Sequence, residues 1–193
     1  EGIWMEFNDT KKIKAAGGLL YAVSPRGTTR WYDIGESLGV YPAGVNIDGS
    51  KSGYTNNINS KAIALLGINY KVNANWQLQV WDVYTDRVFN TVMLQADLLL
   101  PQKNKQAFFG AVQVIKQDAV GNGGNADPSK TYFEKSGRSL SFGAKAGWKN
   151  AKWEAGINYN RITTHGRYLM PREWGREPFF TFLPRERNEG FGN

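Results

Sequence analysis

The sequence lacks cysteine altogether and contains a single histidine, His165, among its 193 residues. A thiolate or multi-histidine metal centre is therefore excluded. A catalytic triad would have to use His165, which stands in loop-like sequence and which we interpret as an exposed loop residue. We expect no metal site, no cofactor and no catalytic residue.

Long apolar runs are missing as well: no stretch approaches the roughly 20 apolar residues that a membrane-spanning helix needs. The mean hydropathy is −0.49, although 41% of the residues are hydrophobic. A helical membrane protein is thereby excluded. A transmembrane β-barrel is not excluded, because half of the residues in its strands face a polar lumen.

Strict alternation of apolar and polar residues is the strongest positive feature of the sequence. In the clearest pair of segments the apolar residues are Leu140, Phe142, Ala144, Ala146 and Trp148, then Trp153, Ala155, Ile157 and Tyr159. A short polar turn, residues 149–152, separates the two segments. Successive side chains of a strand point to opposite faces, so each segment has one apolar and one polar face. The pattern predicts an antiparallel hairpin.

The connections between such segments alternate in length. Long aromatic and charged loops are predicted at about 25–58, 118–137 and 164–193, whereas short polar turns join the segments on the other side. The one exception is a short connection at residues 85–87, on the side of the long loops. Transmembrane barrels have this asymmetry, with short periplasmic turns and longer external loops. We predict about eight strands, the second over about 12–24 and the third from near Asn59 to Val72. The predicted fold is an all-β, antiparallel up-and-down transmembrane β-barrel.

Aromatic residues make up 13% of the chain, with 7 Trp, 9 Tyr and 10 Phe. Such a content suits the aromatic girdles at the two membrane interfaces of a barrel. It also fits the core or the sugar-binding surface of a soluble sandwich. Residues 1–8 already have the pattern of a strand, and residues 191–193 are loop-like, so we expect residues 1–193 to be one internal portion of a larger barrel.

The formal net charge is +7, from 24 Lys and Arg against 17 Asp and Glu. Such a surplus fits nucleic acid, anionic lipid or an anionic solute as a partner. Lys61, Lys71 and Lys145 fall on the polar phase of predicted strands rather than in one cluster. The sequence therefore favours a charged lumen over a nucleic-acid patch.

Arginine is concentrated in two of the long loops, among acidic and aromatic residues. The first loop holds Arg26 and Arg30 near Trp31 and Tyr32, and the last holds Arg167, Arg172, Arg176, Arg185 and Arg187 among Glu173, Glu177, Glu186 and Glu189. Guanidinium groups bind carboxylates in bidentate fashion, and several in a row can pass an anion along. Arg–Glu pairs that hold the last loop against the barrel are an equally weighted alternative. We expect the first loop to be ordered and to narrow a lumen.

Two stretches of these loops resemble loops of OprD-type outer-membrane porins. They are residues 24–37 (SPRGTTRWYDIGES) and residues 171–181 (PREWGREPFFT), and the segment 76–100 is similar too. The resemblance implies a monomeric barrel of about 18 strands, with a lumen that is lined on one side by basic residues and narrowed by inward loops. It also implies passage of small, carboxylate-bearing solutes across the outer membrane of a Gram-negative bacterium.

The sequence therefore predicts a channel, and not an enzyme, for passive diffusion of small anionic, carboxylate-bearing or zwitterionic solutes. The residues expected to line its pathway are Arg26, Arg30, Lys61, Lys145, Arg172 and Arg176. The expected partners are the solute and outer-membrane lipid, and nucleic acid is not expected. Two alternatives remain: a soluble all-β carbohydrate-binding domain, and an outer-membrane barrel enzyme that uses His165 or a carboxylate pair.

Overall fold

The described part of the chain folds into one large antiparallel sheet with long loops at one end. The computed structural model describes residues 1–8, 11–41, 44–46 and 48–182. In chain order the elements are β1 (Gly2–Phe7), β2 (Ile13–Leu20), β3 (Ala22–Val23), β4 (Tyr32–Asp33), α1 (Ile34–Ser37), β5 (Ile63–Lys71), β6 (Trp76–Thr85), β7 (Phe89–Pro101), β8 (Ala107–Ala119), a 3₁₀ helix (Pro128–Lys130), β9 (Arg138–Lys149) and β10 (Glu154–Ile162). No helix in these ranges is long and apolar enough to cross a membrane.

Eight of the strands form an up-and-down meander, in the order β1-β2-β5-β6-β7-β8-β9-β10. Every neighbouring pair in this sheet is antiparallel. β3 and β4 form a small separate sheet, which together with α1 belongs to the first long loop. The predicted all-β, antiparallel up-and-down architecture is confirmed. Within the described ranges β1 and β10 each pair on one side only, so this sheet is open.

The pairing register divides the side chains of the sheet between two faces. One cross-strand row on what we call the apolar face consists of Val80, Leu94, Val114 and Phe142. The neighbouring row, on what we call the polar face, consists of Gln79, Gln95, Gln113 and Gly143. Since a strand alternates its side chains with a period of two, the whole sheet keeps this division from β1 to β10.

Burial on the two faces is the reverse of what a soluble protein has. On β8 the side chains of Gln113 and Gln117 are 2% and 0% exposed, whereas Phe108 and Val112 are 52% and 59% exposed. Folding in water normally removes apolar area from solvent and leaves polar groups outside. This sheet therefore presents its apolar side chains outward and covers its polar ones.

The second strand is shorter than predicted. β2 ends at Leu20, because the N–H groups of Tyr21 and Ala22 both donate to the carbonyl of Glu1, at 3.0 and 3.3 Å. Two residues facing one partner form a bulge, which bends the strand out of the ladder. The next residues pair with β4 instead, in the small sheet.

The third strand also begins later than predicted, at Ile63 rather than near Asn59. The residues before it bond to other connections: the N–H of Asn59 donates to the Gly124 carbonyl of a long loop at 2.8 Å, and the N–H of Lys61 donates to the Asp86 carboxylate of the short β6–β7 turn at 3.2 Å. Lys61 is exposed and lies outside the strand on which it was predicted.

One apolar core cluster of the described chain lies where the long loops meet. Val88, Phe89 and Phe133 are buried there, and Ile58 and Trp174 pack against them. The glycine-rich turn at the start of the loop 120–137 packs closely against residues of this core. A Cβ on Gly123, whose φ is +66°, would stand 1.7 Å from the Phe133 carbonyl oxygen, so this turn requires glycine.

Candidate functional site

Residues 163–182, which we call the crossing segment, lie across the polar face of the sheet. Gln117 donates from Nε2 to the carbonyl of Leu169 at 2.8 Å and accepts from its N–H at 2.9 Å. Further along, Gln113 donates to the carbonyl of Pro178 and Asn158 donates to the carbonyl of Phe180, both at 3.0 Å. Side chains of β8 and β10 thus bind the backbone of the crossing segment at three points.

The amide of glutamine is suited to this task. It carries one acceptor oxygen and two N–H donors, so it can satisfy both backbone groups of one residue, as a paired strand would. Gln117 uses all of this capacity, since Nε2 also donates to the Thr91 hydroxyl at 2.9 Å. The crossing segment is therefore fixed without joining the sheet.

Further amides and a carboxylate continue this network over the polar face. Gln113 donates to the Oε1 of Gln95 at 2.8 Å, and Gln95 and Gln79 both donate to the carboxylate of Asp97, at 2.9 and 2.8 Å. The result is a belt of polar side chains across β6, β7 and β8. Each member of the belt is hydrogen-bonded to its neighbour.

Two aromatic rings anchor the crossing segment to the sheet. Tyr168 and Phe179 are 2% and 4% exposed, and both pack on Ile115 of β8. Their ring centroids are 4.9 Å apart. Burial, and to a smaller extent the charge of Glu177, raises the pKa of the Tyr168 phenol, so this ring stays neutral at ordinary pH.

The crossing segment is also joined to the first long loop. Glu173 accepts at Oε1 from the N–H groups of Gly39 and Tyr41, both at 3.1 Å. The neighbouring Trp174 donates from Nε1 to the hydroxyl of Ser37 at 2.7 Å. The two loops that carry the arginine-rich stretches therefore meet over the polar face.

A cavity of about 650 Å³ lies between the crossing segment and strands β5 to β7. Trp81 and Met93 of the sheet line one side, and Met170 and Trp174 line the other. Glu173 and Arg176 also line this cavity. The wall is thus mainly apolar, with one acid and one base from the crossing segment.

The structure brings only part of the predicted site together. Lys145 lies on the polar face, with its ammonium 4.8 Å from the ring centroid of Phe180. Arg176 stands 5.3 Å from the ring centroid of Phe182, and Arg172 is exposed on the same segment. Two of these cations therefore belong to the crossing segment, and the third contacts it from the sheet.

The other residues predicted from the sequence lie away from the crossing segment or outside the described residues. Arg30 is exposed on the first loop, where its guanidinium lies 4.2 Å from the ring centroid of Tyr32. Arg26 is exposed and accepts a hydrogen bond from Tyr41 through its carbonyl. Lys61 lies outside its predicted strand. Arg185 and Arg187, with Glu186 and Glu189, fall outside the described residues.

The observed partners of Glu173 differ from the predicted Arg–Glu pairs. Its carboxylate binds two backbone N–H groups of the first loop. Sequence reasoning also missed Gln113 and Gln117 as the residues that hold the crossing segment. Their positions on the polar phase of β8 were the available signal, but the partner of Gln113 lies 65 residues away and that of Gln117 lies 52 residues away.

One motif in the first loop has the spacing of a hydrolase nucleophile: Gly35-Glu36-Ser37-Leu38-Gly39 matches Gly-x-Ser-x-Gly. Its serine is 0% exposed. The Ser37 hydroxyl donates to the Ile34 carbonyl at 2.7 Å and accepts from Trp174. The nitrogen Nδ1 of His165 contacts the hydroxyl of Thr163 at 3.0 Å. This serine therefore joins two loops and is not presented as an exposed nucleophile.

The described fold is that of a porin barrel wall, as comparison with solved structures shows. The chain is similar to OccK8 (OprE) of Pseudomonas aeruginosa at 15% identity and a TM-score of 0.71, over 96% of this chain and 47% of that chain. It is similar to OccK9 (OpdG) of the same organism at 14% identity and a TM-score of 0.71, over 96% and 41%. No protein-family model matches the sequence, and no curated protein matches it.

The similar structures are outer-membrane porins of the OprD/Occ family. One of them, OccK2 (OpdF) of P. aeruginosa, was solved in complex with glucuronate; its identity is 14% and its TM-score 0.61, over 84% of this chain and 37% of that chain. The chain spans less than half the length of these proteins. At the level of fold, the resemblance to OprD-type porins is confirmed.

Proposed function

We propose that this chain forms part of the wall and the constriction of a passive diffusion channel in the outer membrane of a Gram-negative bacterium. In this channel the apolar face contacts lipid and the polar face lines a water-filled lumen. The reversed burial carries the proposal: Val112 is 59% exposed on one face and Gln117 is 0% exposed on the other. Lipid tails are the surroundings in which such an apolar face is stable.

The aromatic residues support the same orientation. Trp76, Phe108 and Trp153 are 42%, 52% and 73% exposed, and all three lie beside short turns. Tryptophan and other amphipathic rings favour the headgroup level of a membrane. The short turns then face the periplasm, and the long loops face outward. The soluble carbohydrate-binding alternative offers no surroundings that would cover these side chains.

The crossing segment serves as the constriction in this proposal. It lies on the lumen face and carries Arg172 and Arg176, and its Phe180 contacts Lys145 of β9. These three cations are the proposed lining of the solute path. A carboxylate that sheds water at a narrow point needs replacement hydrogen-bond donors, which these cations supply. Small carboxylate-bearing anions are therefore the proposed solutes, in line with the glucuronate bound to the similar OccK2. No covalent step is involved, and a monomeric barrel suffices.

The assignment of the two faces can be tested by cysteine labelling of the full-length protein in a background without other cysteines; residues 1–193 contain none. Single cysteines at Asn69 and Lys145 are expected to react with a water-soluble maleimide after reconstitution into vesicles. Cysteines at their strand neighbours Ile68 and Ala144, on the apolar face, are expected to react only with a lipid-soluble reagent. The reverse pattern would refute the proposed lumen.

The charge of the constriction should set the ion preference of the channel. We expect the double variant Arg172→Gln/Arg176→Gln to lower the anion-to-cation permeability ratio several-fold, because the positive potential at the narrowest point is lost. The reversal potential of single channels under a salt gradient measures this ratio. The matched control, Lys116→Gln/Arg138→Gln, removes the same charge from the apolar face, and it should leave the ratio unchanged. Equal effects of the two double variants on the permeability ratio would show that Arg172 and Arg176 do not line the solute path.

A further inference from the structure

Adjacent residues of the crossing segment bind one short stretch of the first loop. Glu173 accepts from the N–H groups of Gly39 and Tyr41, and Trp174 donates to Ser37. The partners in each contact are 132 to 137 residues apart. We call these contacts, over residues 37–41 and 173–174, the clasp.

The first loop has the geometry needed to receive a carboxylate. Helix α1 ends at Ser37, and Gly39 then takes a φ of +96°, which directs the N–H groups of residues 39 and 41 to one oxygen. A side chain at position 39 would be strained in that conformation, and its Cβ would stand 2.8 Å from the Thr55 hydroxyl. Convergent backbone N–H groups form a concavity that favours an anion. Glu173 fills it.

Glu173 lies between the two arginines of the proposed constriction, so the clasp affects both of them. Arg172 precedes it directly, and Arg176 follows three residues later and lines the same cavity. Hydrogen bonds from N–H groups to a carboxylate are about twice as strong as those to a neutral acceptor. Whatever fixes Glu173 therefore fixes the backbone from which both arginines project.

We propose that Glu173 is the positioning residue of the constriction: its carboxylate, held by the N–H groups of Gly39 and Tyr41, sets the place of Arg172 and Arg176 over the polar face. This deepens the proposed function and rests on it. Glu173 does not bind the solute. It keeps the segment that carries the solute-binding cations in one conformation.

The test uses single-channel recording of the full-length protein with Glu173→Ala. Loss of the carboxylate should raise open-channel current noise and conductance, because the crossing segment moves off its loop. Acetate, which offers a carboxylate of matching size, should refill the vacated N–H pair and restore the quiet, smaller current in Glu173→Ala, whereas chloride should not. The effect is measured against acetate on the unchanged protein, where acetate acts only as a solute. Glu36→Ala, on the exposed side of α1, removes the same charge nearby and should behave as the unchanged protein.

A second readout does not depend on conduction. Trypsin cleaves after arginine, and release of the clasp should make cleavage after Arg176, whose flanking residues the substitution leaves unchanged, about tenfold faster in Glu173→Ala, with acetate reversing the effect. Unchanged noise and unchanged cleavage in a folded, inserted Glu173→Ala protein would overturn the positioning role. If the unchanged protein passes no current, the proposed channel function is wrong. Faster cleavage of the variant would still support the clasp in that case.

Discussion

Replacing Gln117 with leucine is expected to free the crossing segment and to raise the single-channel conductance about twofold or more. Leucine is similar in volume but offers no donor or acceptor. The change leaves the N–H and the carbonyl of Leu169, as well as the Thr91 hydroxyl, without their present partner in a buried place. Each unsatisfied buried group costs about 1–3 kcal/mol. The segment should therefore leave the polar face and widen the lumen.

A matched control distinguishes release of the crossing segment from the loss of one amide side chain on the polar face. Gln79→Leu changes the same residue type on the same face, but Gln79 binds only the Asp97 side chain among the contacts described and does not reach the crossing segment. It should keep the original conductance. Both variants should be recorded after folding has been verified by the shift of the heat-modifiable band. A Gln117→Leu channel of unchanged conductance would show that the crossing segment does not define the constriction.

Much of the fold could be predicted because pleating imposes a period of two on every strand. β6 and the pair β9–β10 lie where the alternation of Trp76, Leu78 and Val80, and of residues 140–159, predicts them. The end of β2 could not be predicted in this way. It depends on the carbonyl of Glu1, which accepts from two consecutive N–H groups, and a bulge leaves no local pattern of apolar residues.

The candidate site is predicted from residue type and not from contacts. Arginines among aromatic residues indicate an anion path, which stays a prediction, and the structure places Arg172 and Arg176 on the segment that crosses the polar face. The residues that hold this segment have no such signature. Gln117 satisfies backbone groups of Leu169, and Glu173 binds backbone N–H groups, so neither has a complementary side chain that the sequence would reveal.

Placing an arginine on the apolar face is expected to prevent stable insertion. Leu94 is 51% exposed near the middle of β7, between Val80 and Val114 of the neighbouring strands. On the lipid face of a barrel, arginine costs about 2–4 kcal/mol at the bilayer midplane. Leu94→Arg should therefore lower the denaturant midpoint in lipid vesicles and reduce the folded, inserted fraction.

The adjacent residue provides the control for this substitution. Gln95 points to the polar face, where its amide donates to the Asp97 carboxylate. An arginine at position 95 would find that carboxylate within its reach and would face water, so Gln95→Arg should insert with nearly unchanged stability. The two variants differ by one position along β7 and add the same charge, so only the face of the sheet separates them. If Gln95→Arg fails to insert and Leu94→Arg folds normally, lipid covers the polar face, and the channel assignment is wrong.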